Sequence, residues 1–447
     1  MLNKAKIPTN ILNAMETGQE FFWVNPNWLP IAEAKETVAY TLEDVKDVEA
    51  RWQRFAAFIE AAFPSTQATA GIIESGLSPI PAMKSWLESA YATEIPGQFF
   101  LKRDDELPIS GTIKARGAIY EVLKHAEDLA LEYGLLESTA EDYAVFNTED
   151  FHEFFSKFNL TVGTTGNLGI SVGTMGRAFG FDVTVHMSKD AKEWKKEYLR
   201  ARGVEVIEHE TNFTEAVIAG RHMSEEDPMS YFVDDEHSKE LFLGYTVGGY
   251  RMKKQLAEAN IQVDADHPLF VYLPCGIGGS PSGITFGLKQ AFGDHVHCIF
   301  AEPAKMPSMI LGLVTQQFSE VAVDEIGQGA LTVADGLAVP RTSSLVAEMM
   351  NHYFSGGYTL EDDTFEAILK ALWDQEEIFL EPAAVAGIPG AIKLLTSAAG
   401  QEYLKAHDLT DKMDQATHIA WATGGSMVPA NDREEFLKAA TGKKISQ

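Results

Sequence analysis

The chain has 447 residues, of which 45% are hydrophobic and 23% are charged, proportions typical of a globular protein with a large core. Its formal net charge of −29 argues against nucleic acid and anionic membrane surfaces as partners. Two cysteines, Cys275 and Cys298, are too few for a disulfide framework. The amino-terminal residues show no apolar signal segment. We therefore expect a cytoplasmic protein with two or three domains, or a two-lobed enzyme.

The amino-terminal part of the chain shows little regular patterning. The first 65 residues and the acidic segment 127–156 fit no alternation of strands and helices, and we interpret both as elaborations without an assigned role. Between them lies "FFLKRDDELPISGTIKARGA", residues 99–118. Lys114 falls between its Ser-Gly-Thr turn and the predicted start of a helix. A lysine is most often a solvated surface charge, so this position alone does not assign a function.

From about residue 158, short β-rich runs alternate with predicted helices. The helices are expected at 168–179, at 190–202, from about 212, up to about 258 and from about 282. The predicted strands are "NLTVG", "DVTVHM", "VEVIEH", "YFVD", "PLFVYLP" and "HVHCIFAEP". This order is typical of a parallel sheet with right-handed crossovers, and several of the strands are apolar enough to be covered on both faces.

The strongest local motif is the glycine-rich "PCGIGGSPSG", residues 274–283, which follows an apolar strand and precedes a helix. Glycines let successive backbone N–H groups converge at a helix N-terminus, where a phosphate binds favourably. A dinucleotide is the alternative ligand, and Glu302 could then hold a ribose. However, Pro281 stands where the third glycine of a dinucleotide motif belongs. A structural turn is the third interpretation.

Two further loops follow predicted strands or apolar runs. In "GTTGNLG", residues 163–169, Asn167 could simply cap a helix. In "WATGGSMVP", residues 421–429, Thr423 and Ser426 flank two glycines, as in an ordinary surface turn. None of these loops identifies a reaction by itself.

Together with Lys114, these segments resemble the fold-type II pyridoxal-phosphate family, the group of tryptophan synthase β and the serine/threonine dehydratases, over residues 72–429. "AEP" at 301–303, "DGLAV" at 335–339 and "EPAAVAG" at 381–387 are similar to further family signatures. The resemblance implies two open, twisted α/β lobes with largely parallel sheets and the cofactor in the cleft between them. We expect a smaller mobile α/β domain at 158–235, with 1–157 and 236–447 contributing the elaboration and the large cofactor-binding domain.

The resemblance also implies roles for individual residues. Lys114 would be the Schiff-base lysine and then the base near the substrate α-carbon. Asn167 would contact the ring 3'-oxygen of pyridoxal 5'-phosphate, and Thr423 would face the pyridine nitrogen, which favours elimination over transamination. Backbone amides of the glycine loop would hold the phosphate, namely those of Gly276, Ile277, Gly278 and Gly279.

Substrate groups are assigned in the same way. The substrate carboxylate would bind a set of turn residues, namely Ser110, Gly111, Thr112 and Thr164. Thr164 and Thr165 are candidates for hydroxyl chemistry, with ordinary turn residues as the alternative. Asp234 and Asp235 follow a predicted strand, where a carboxylate could face the cofactor cleft. Of the two, Asp234 is the candidate catalytic and substrate-binding carboxylate, with a solvated loop as the alternative. The family's acid implies that Glu302 binds a monovalent cation, potassium or sodium, although "AEPAKMPSM" lacks an aspartate that some relatives have.

The loop variants look most like those of family members that act on D-serine, so the expected reaction is β-elimination of D-serine to pyruvate and ammonia. The alternatives are an ammonia-lyase acting on L-serine, L-threonine or diaminopropionate and, more distantly, a dinucleotide-dependent oxidoreductase. The twelve histidines show no metal-ligand spacing, so no transition metal is expected. We expect a monomer, with a homodimer as the alternative.

Overall fold

The computed structural model describes residues 2–164, 166–189, 191–210 and 213–446. The strands are β1 Phe22–Val24, β2 Leu77–Pro79, β3 Gln98–Arg103, β4 Asn159–Gly163, β5 Asp182–Ser188, β6 Glu205–His209, β7 Ser230–Val233, β8 Leu269–Pro274, β9 Val296–Pro303, β10 Gly356–Leu360 and β11 Thr417–Ala422. The helices are α1 Thr9–Thr17, α2 Ile31–Ala34, α3 Leu42–Arg54, α4 Ala56–Ala62, α5 Pro81–Tyr91, α6 Tyr120–Glu132, α7 Glu149–Phe155, α8 Asn167–Phe179, α9 Glu193–Arg200, α10 Phe213–Glu226, α11 Lys239–Glu258, α12 Gly279–Phe292, α13 Ser308–Thr315, α14 Ser344–Met349, α15 Asp362–Glu376, α16 Gly390–Thr396, α17 Ala398–Ala406 and α18 Ala430–Ala439.

The chain forms two compact units. The first comprises Met1–Thr41, Ser75–Glu106 and Gly248–Gln447, and the second comprises Leu42–Glu74 and Leu107–Val247. The predicted smaller domain, 158–235, lies within the second unit, which also includes Leu42–Glu74 and the residues on either side of that domain. Movement of the smaller domain stays a prediction.

The first unit is built on a mixed sheet. Within the described residues this sheet has seven strands in the order β1-β10-β9-β8-β11-β3-β2. The five inner strands are parallel, and β1 and β2 pair antiparallel at the two edges. Every residue of β8, β9, β10 and β11 is buried, as expected for parallel strands covered on both faces.

The second unit contains a smaller sheet that is parallel throughout. Within the described residues it has four strands in the order β6-β5-β4-β7. The carboxyl ends of parallel strands meet at one edge, so the residues after β4 and after β7 emerge at the same edge of this sheet. This edge carries the loop around Asn167 and the pair Asp234 and Asp235.

The predicted α/β alternation is confirmed. Each of the six runs read as strands contains a strand, β4 to β9, and the helices predicted between them are α8 to α12. Helix α12 begins at Gly279, before the predicted start near 282, because Gly278 adopts a left-handed conformation with φ of +108° and ends the loop there.

The two elaborations pack on each other in the second unit. Phe55, between α3 and α4, has its ring centroid 4.7 Å from that of Tyr143 and 5.0 Å from that of Phe146, both in the 127–156 segment. Phe55 also lies 5.8 Å from Phe179 at the end of α8. Because Phe55 is fully buried, these edge-on and tilted ring contacts form part of the core of this unit.

A second contact joins the same elaborations through charge. The Glu127 carboxylate on α6 accepts hydrogen bonds from Arg51 Nε at 2.6 Å, from Arg54 Nε at 2.9 Å and from the Tyr143 hydroxyl at 2.5 Å. Arg51 and Glu127 are both buried, so each charge requires the other.

Among the described residues, no helix combines the length and the apolar character needed to cross a bilayer.

Replacing Phe55 with alanine should lower the free energy of unfolding by about 3–5 kcal/mol, because a buried ring is lost and a cavity remains. The measurement is the urea unfolding midpoint of the full chain. Met223→Ala in the same unit is the matched control, since Met223 is half exposed and should change the free energy by less than about 0.5 kcal/mol. Equal effects of the two substitutions would contradict a core role for Phe55.

Candidate active site

The turn before Lys114 is tight and strained. Gly111 N–H donates to Leu107 O at 2.9 Å, and Thr112 Oγ1 accepts from Lys114 N–H at 3.1 Å. Ile109 has a φ of +79°, a left-handed conformation that a β-branched residue adopts rarely, at a cost of about 1–3 kcal/mol. Strained residues of this kind concentrate at functional sites, because the surrounding structure must hold them in place.

The chain continues from Lys114 into a π-helical turn, Ala115–Ile119, and then into α6. Gly117 lies so close to α11 that a Cβ atom there would come within 2.6 Å of the Tyr245 ring. Gly244 on α11 is equally constrained, because its Cβ would come within 2.6 Å of Arg116 O. The Arg-Gly-Ala sequence after the lysine therefore allows close contact between the helix of Lys114 and α11.

The partner of Lys114 is a carboxylate. Lys114 Nζ lies 3.0 Å from Asp235 Oδ2 and 3.2 Å from Oδ1. Burial lowers the pKa of the Lys114 ammonium, but Asp235 and then Tyr245 raise it by more, so that the pKa lies above its usual value. The Tyr245 hydroxyl is buried and interacts with Lys114, and burial raises its pKa. The pairing of Lys114 with Asp235 therefore keeps a proton on Lys114 Nζ.

The structure does not bring Asp234 to the lysine. Its carboxylate accepts two hydrogen bonds from Arg221, both at 3.1 Å, and one from the Glu236 backbone N–H at 3.0 Å. Asp234 and Asp235 lie in the turn after β7, where Asp234 meets Arg221 and Asp235 meets Lys114. Asp234, Glu236 and His237 lie close enough to hold an ion, but both acids already pair with Arg221.

The predicted carboxylate-binding turn contacts the helix of Asn167. Ser110 is buried, and its Oγ accepts from Ser171 Oγ at 2.9 Å. Ser171 Oγ also lies 3.2 Å from the backbone oxygen of Asn167, the first residue of α8. Gly166 is the N-cap of α8 and has no side chain to cap the helix, and a helix N-terminus favours an anion nearby.

Thr164 lies at the end of β4 and forms a local turn. Its N–H donates to His186 O at 2.9 Å, and its Oγ1 accepts from Gly166 N–H at 2.9 Å. The side chain is buried, so this arrangement fits the interpretation as a turn residue while its hydroxyl hydrogen can still be donated. Thr165 lies outside the described residues.

The glycine loop fits a phosphate group in the first unit. Among the described residues, the backbone N–H groups of Gly276, Ile277, Gly278 and Gly279 donate no hydrogen bond, and Gly278 supplies no side-chain cap to α12. The buried Ser282 hydroxyl also lacks a partner in the described part of the chain. Buried donors are normally satisfied, so this cluster is suited to an anionic ligand with several acceptor oxygens.

The remaining signatures lie near this loop or near Thr423. Leu337, in "DGLAV", lies against Gly276, where a Cβ would approach its Cα to 3.1 Å. Thr423 follows β11 and is partly exposed, and the next residue, Gly424, accepts at 3.0 Å from the N–H of Glu381, which begins "EPAAVAG". The family signatures therefore support the backbone of the phosphate loop and of the Thr423 loop.

The structure gives Glu302 a different role from cation binding. Its Oε1 accepts from Met309 N–H at 2.7 Å and its Oε2 from Ile310 N–H at 3.0 Å, so it satisfies the N-terminus of α13. Burial raises the pKa of Glu302 to about 8, and these backbone hydrogen bonds oppose the rise. Since both oxygens are in use, the prediction of a monovalent cation at Glu302 gains no support from this geometry.

Sequence reasoning considered Asp234 and Asp235 together but chose Asp234, and it missed Tyr245 and Glu74. Glu74 Oε2 accepts from Arg116 Nη1 at 3.1 Å and so pairs with the arginine of the Arg-Gly-Ala segment. The Asp-Asp pair after β7 was a usable signal for Asp235, because the two acids lie in the same turn. Tyr245 and Glu74 have no local signal, since each contacts this segment only through tertiary structure.

Replacing Asp235 with asparagine should lower the pKa of Lys114, because burial then acts without the opposing carboxylate. In the cofactor-free chain, a fall of one unit in the pKa of Lys114 makes its neutral amine about tenfold more abundant at pH 8. A reagent that acylates amines should therefore modify Lys114 about tenfold faster. Peptide mass spectrometry measures this rate. Asp234→Asn removes the same charge beside Arg221 and should leave it within about twofold, whereas equal effects would contradict the pairing.

Comparison with known proteins assigns the chain to a family. The model of the family described as "Pyridoxal-phosphate dependent enzyme" matches residues 86–403. A protein of Geobacillus stearothermophilus named "Probable D-serine dehydratase" is 53% identical over 428 residues, which cover 96% of this chain and 93% of that protein. A protein of Halalkalibacterium halodurans with the same name is 52% identical, covering 96% of each chain.

A solved structure shows a similar fold. Diaminopropionate ammonia lyase from Escherichia coli, crystallised in complex with D-serine, superposes with a TM-score of 0.70 at 14% identity, covering 95% of this chain and 98% of the other. At that identity the likeness concerns the fold alone. It agrees with the predicted fold-type II architecture of largely parallel α/β sheets. By its family match and by its similarity to these relatives, the chain belongs to the pyridoxal-phosphate-dependent enzymes.

Proposed function

We propose that the chain is an ammonia-lyase that uses pyridoxal phosphate to convert D-serine to pyruvate and ammonia. The observation that carries this proposal is Lys114, paired with Asp235 beside a strained turn, at the position of the family's cofactor lysine. The name shared by relatives about 50% identical over nearly their whole length supports D-serine as the substrate. L-Serine, L-threonine and diaminopropionate are the alternative substrates.

Several groups of this chain would hold the cofactor. The amides of Gly276 to Gly279 would bind its phosphate, Lys114 would form the covalent bond, and Asn167 and Thr423 would contact the ring. When bound, pyridoxal phosphate withdraws electrons from the substrate α-carbon and so weakens the Cα–H bond. The unbonded amides of the glycine loop support the phosphate assignment.

Lys114 would transfer the proton that elimination requires. A raised pKa makes the neutral amine a strong proton acceptor, so Nζ would take the Cα proton and hold it as an ammonium beside Asp235. The same ammonium would then give the proton to the departing β-hydroxyl, which leaves as water. One proton is taken and one is returned, and the released enamine hydrolyses to pyruvate and ammonia.

The substrate carboxylate would bind at the turn before the lysine. Ser110, Gly111 and Thr112 form this turn, and the contact between Ser110 and Ser171 joins it to the first turns of α8. Thr164 is the further candidate, because its hydroxyl hydrogen remains available. Anion binding at a helix N-terminus is favoured by the backbone N–H groups and the helix dipole.

Lys114→Ala should lower pyruvate formation from D-serine at least about a thousandfold without unfolding the chain, because covalent attachment and proton transfer are both lost. The assay compares D-serine with L-serine, and the unaltered chain should prefer D-serine. Lys124→Ala on α6 is the matched control, since Lys124 pairs with Asp128 at the surface and should keep near-normal activity. Near-normal turnover by Lys114→Ala, or a preference for L-serine, would overturn the proposal.

Thr423→Asp should slow elimination about tenfold or more and increase transamination, because a carboxylate stabilises a protonated ring nitrogen and a hydroxyl does not. Chromatography of pyruvate and of the amine form of the cofactor measures both outcomes. Ser426→Asp adds the same charge at an exposed position of the same loop and is the matched control. If the two variants behave alike, Thr423 does not face the ring.

A further inference from the structure

Glu121 is a buried carboxyl group that the mechanism above does not use. It lies on α6, seven residues after Lys114, and its side chain is almost completely inaccessible to solvent. Its Oε1 accepts from the Tyr231 hydroxyl at 2.8 Å, and its Oε2 accepts from the Ser238 hydroxyl at 2.8 Å. Each carboxyl oxygen therefore has one specific partner on a different part of the second unit.

Its two partners lie on either side of one short turn. Tyr231 belongs to β7, and Ser238 immediately precedes α11. Ser238 Oγ also accepts from Leu241 N–H at 3.1 Å, so it caps the first turn of that helix. Residues 234–238 form the turn between strand and helix, which we call the Asp235 turn, and Ser238 N–H closes it on Asp234 O at 2.9 Å.

The Asp235 turn is attached to the helical segment of Lys114 at two points. At one point Asp235 meets Lys114, and at the other Glu121 binds the residues that flank or end the turn. We propose that Glu121 is a positioning residue, which holds the Asp235 turn so that the Asp235 carboxylate stays against Lys114. This role in catalysis rests on the proposed function, whereas the attachment itself can be tested without any turnover.

The protonation of Glu121 gives the attachment a measurable signature. Burial raises the pKa of Glu121 to about 8, the hydrogen bonds from Tyr231 and Ser238 oppose this rise, and Glu240 and Asp234 add to it. In the closed turn the carboxyl group is therefore neutral below about pH 8. When the turn is open and hydrated, the carboxyl group has its ordinary pKa of 4.5 and is ionised above that pH. Opening then releases a proton, so stability present at low pH is lost as the pH rises from about 4.5 to about 8.

Other charged groups near the turn affect the same equilibrium. His237 pairs with Asp234 within the turn, and Arg221 pairs with Asp234 and Glu236. Tyr245 on α11 faces both Lys114 and Glu121. All of these groups are retained when Glu121 is replaced by glutamine, so a difference between the unaltered chain and Glu121→Gln isolates the contribution of Glu121.

Hydrogen exchange of the Asp235 turn tests the proposal in the full chain. After correction for intrinsic exchange, protection of residues 234–238 in the unaltered chain should fall between pH 5 and pH 8, by up to about tenfold per pH unit. Glu121→Gln stays neutral in both states and should show a clearly smaller pH dependence. Identical pH dependence in the two proteins would overturn the proposal.

Glu127→Gln is the matched control for burial and for position on α6. Glu127 is as buried as Glu121, but it binds Arg51, Arg54 and Tyr143 and does not contact the Asp235 turn. Burial raises the pKa of Glu127, but the hydrogen bonds from Tyr143, Arg51 and Arg54 lower it by more, so Glu127 stays ionised across this pH range. The pH dependence of the turn should therefore remain that of the unaltered chain, and its loss in Glu127→Gln would also overturn the proposal.

Removing the hydrogen bonds tests the same attachment by a second route. Glu121→Ala should lower the hydrogen-exchange protection of the Asp235 turn about tenfold or more. It should also raise the rate at which Lys114 is acylated in the cofactor-free chain, as Asp235→Asn does. The double variant Tyr231→Phe with Ser238→Ala keeps the carboxyl group, removes both donors and should have the same effect if Glu121→Ala does not fold. Unchanged protection in the folded variants would contradict the proposal.

Turnover separates this proposal from the proposed function. With D-serine, Glu121→Ala should lower kcat about tenfold or more and leave KM within about threefold, because Asp235 serves proton transfer and not substrate binding. Glu121→Gln should restore most of kcat at pH 7. If the unaltered chain has no activity with D-serine while the exchange results hold, the proposed function fails and the attachment stands. If activity is normal and kcat is unchanged in a folded Glu121→Ala, the positioning role fails.

Discussion

The second unit depends on one constraint, which is that the partly buried ammonium of Lys114 requires an opposite charge. Asp235 supplies that charge, and its carboxylate must come from the end of β7 at the sheet edge. The helix of Lys114 must therefore approach α11 closely, which only a glycine at 117 and a glycine at 244 permit. The π-helical turn after Lys114 and the left-handed Ile109 before it show that the backbone is adjusted on both sides of the lysine.

The first unit shows a contrast between two helix N-termini that carries chemical information. The N–H groups at the start of α13 are satisfied by Glu302, a residue of the same unit. The N–H groups of the glycine loop before α12 have no such partner among the described residues. Because the N-terminus of α13 is satisfied within the unit and the glycine loop is not, the glycine loop is the better candidate for an anion. Cation binding at Glu302 stays a prediction.

The sequence predicted most of the fold between residues 158 and 303, because each strand and helix there has its own local period and its own turn signal. The elaborations gave no such signal. Phe55 packs on Tyr143 and Phe146, about ninety residues away, and pairs at that separation leave no periodic trace in either segment. The candidate site was predictable where a motif marks it, as at Lys114 and the glycine loop. Its partners were not, because Tyr245 and Glu74 reach the lysine segment only through tertiary packing.

The choice between Asp234 and Asp235 shows where sequence reasoning reaches its limit. Both acids follow the same strand and lie side by side in the turn after it, so composition and spacing treat them alike. Arg221 pairs with Asp234 and Lys114 pairs with Asp235, so tertiary contacts decide the role of each acid. Glu121 extends the same point, since a glutamate in a helix is most often solvated. Glu121 is a buried acceptor with two donors only because α6 contacts β7 and Ser238 in the folded chain. These contacts are what would let Glu121 hold the Asp235 carboxylate in one direction.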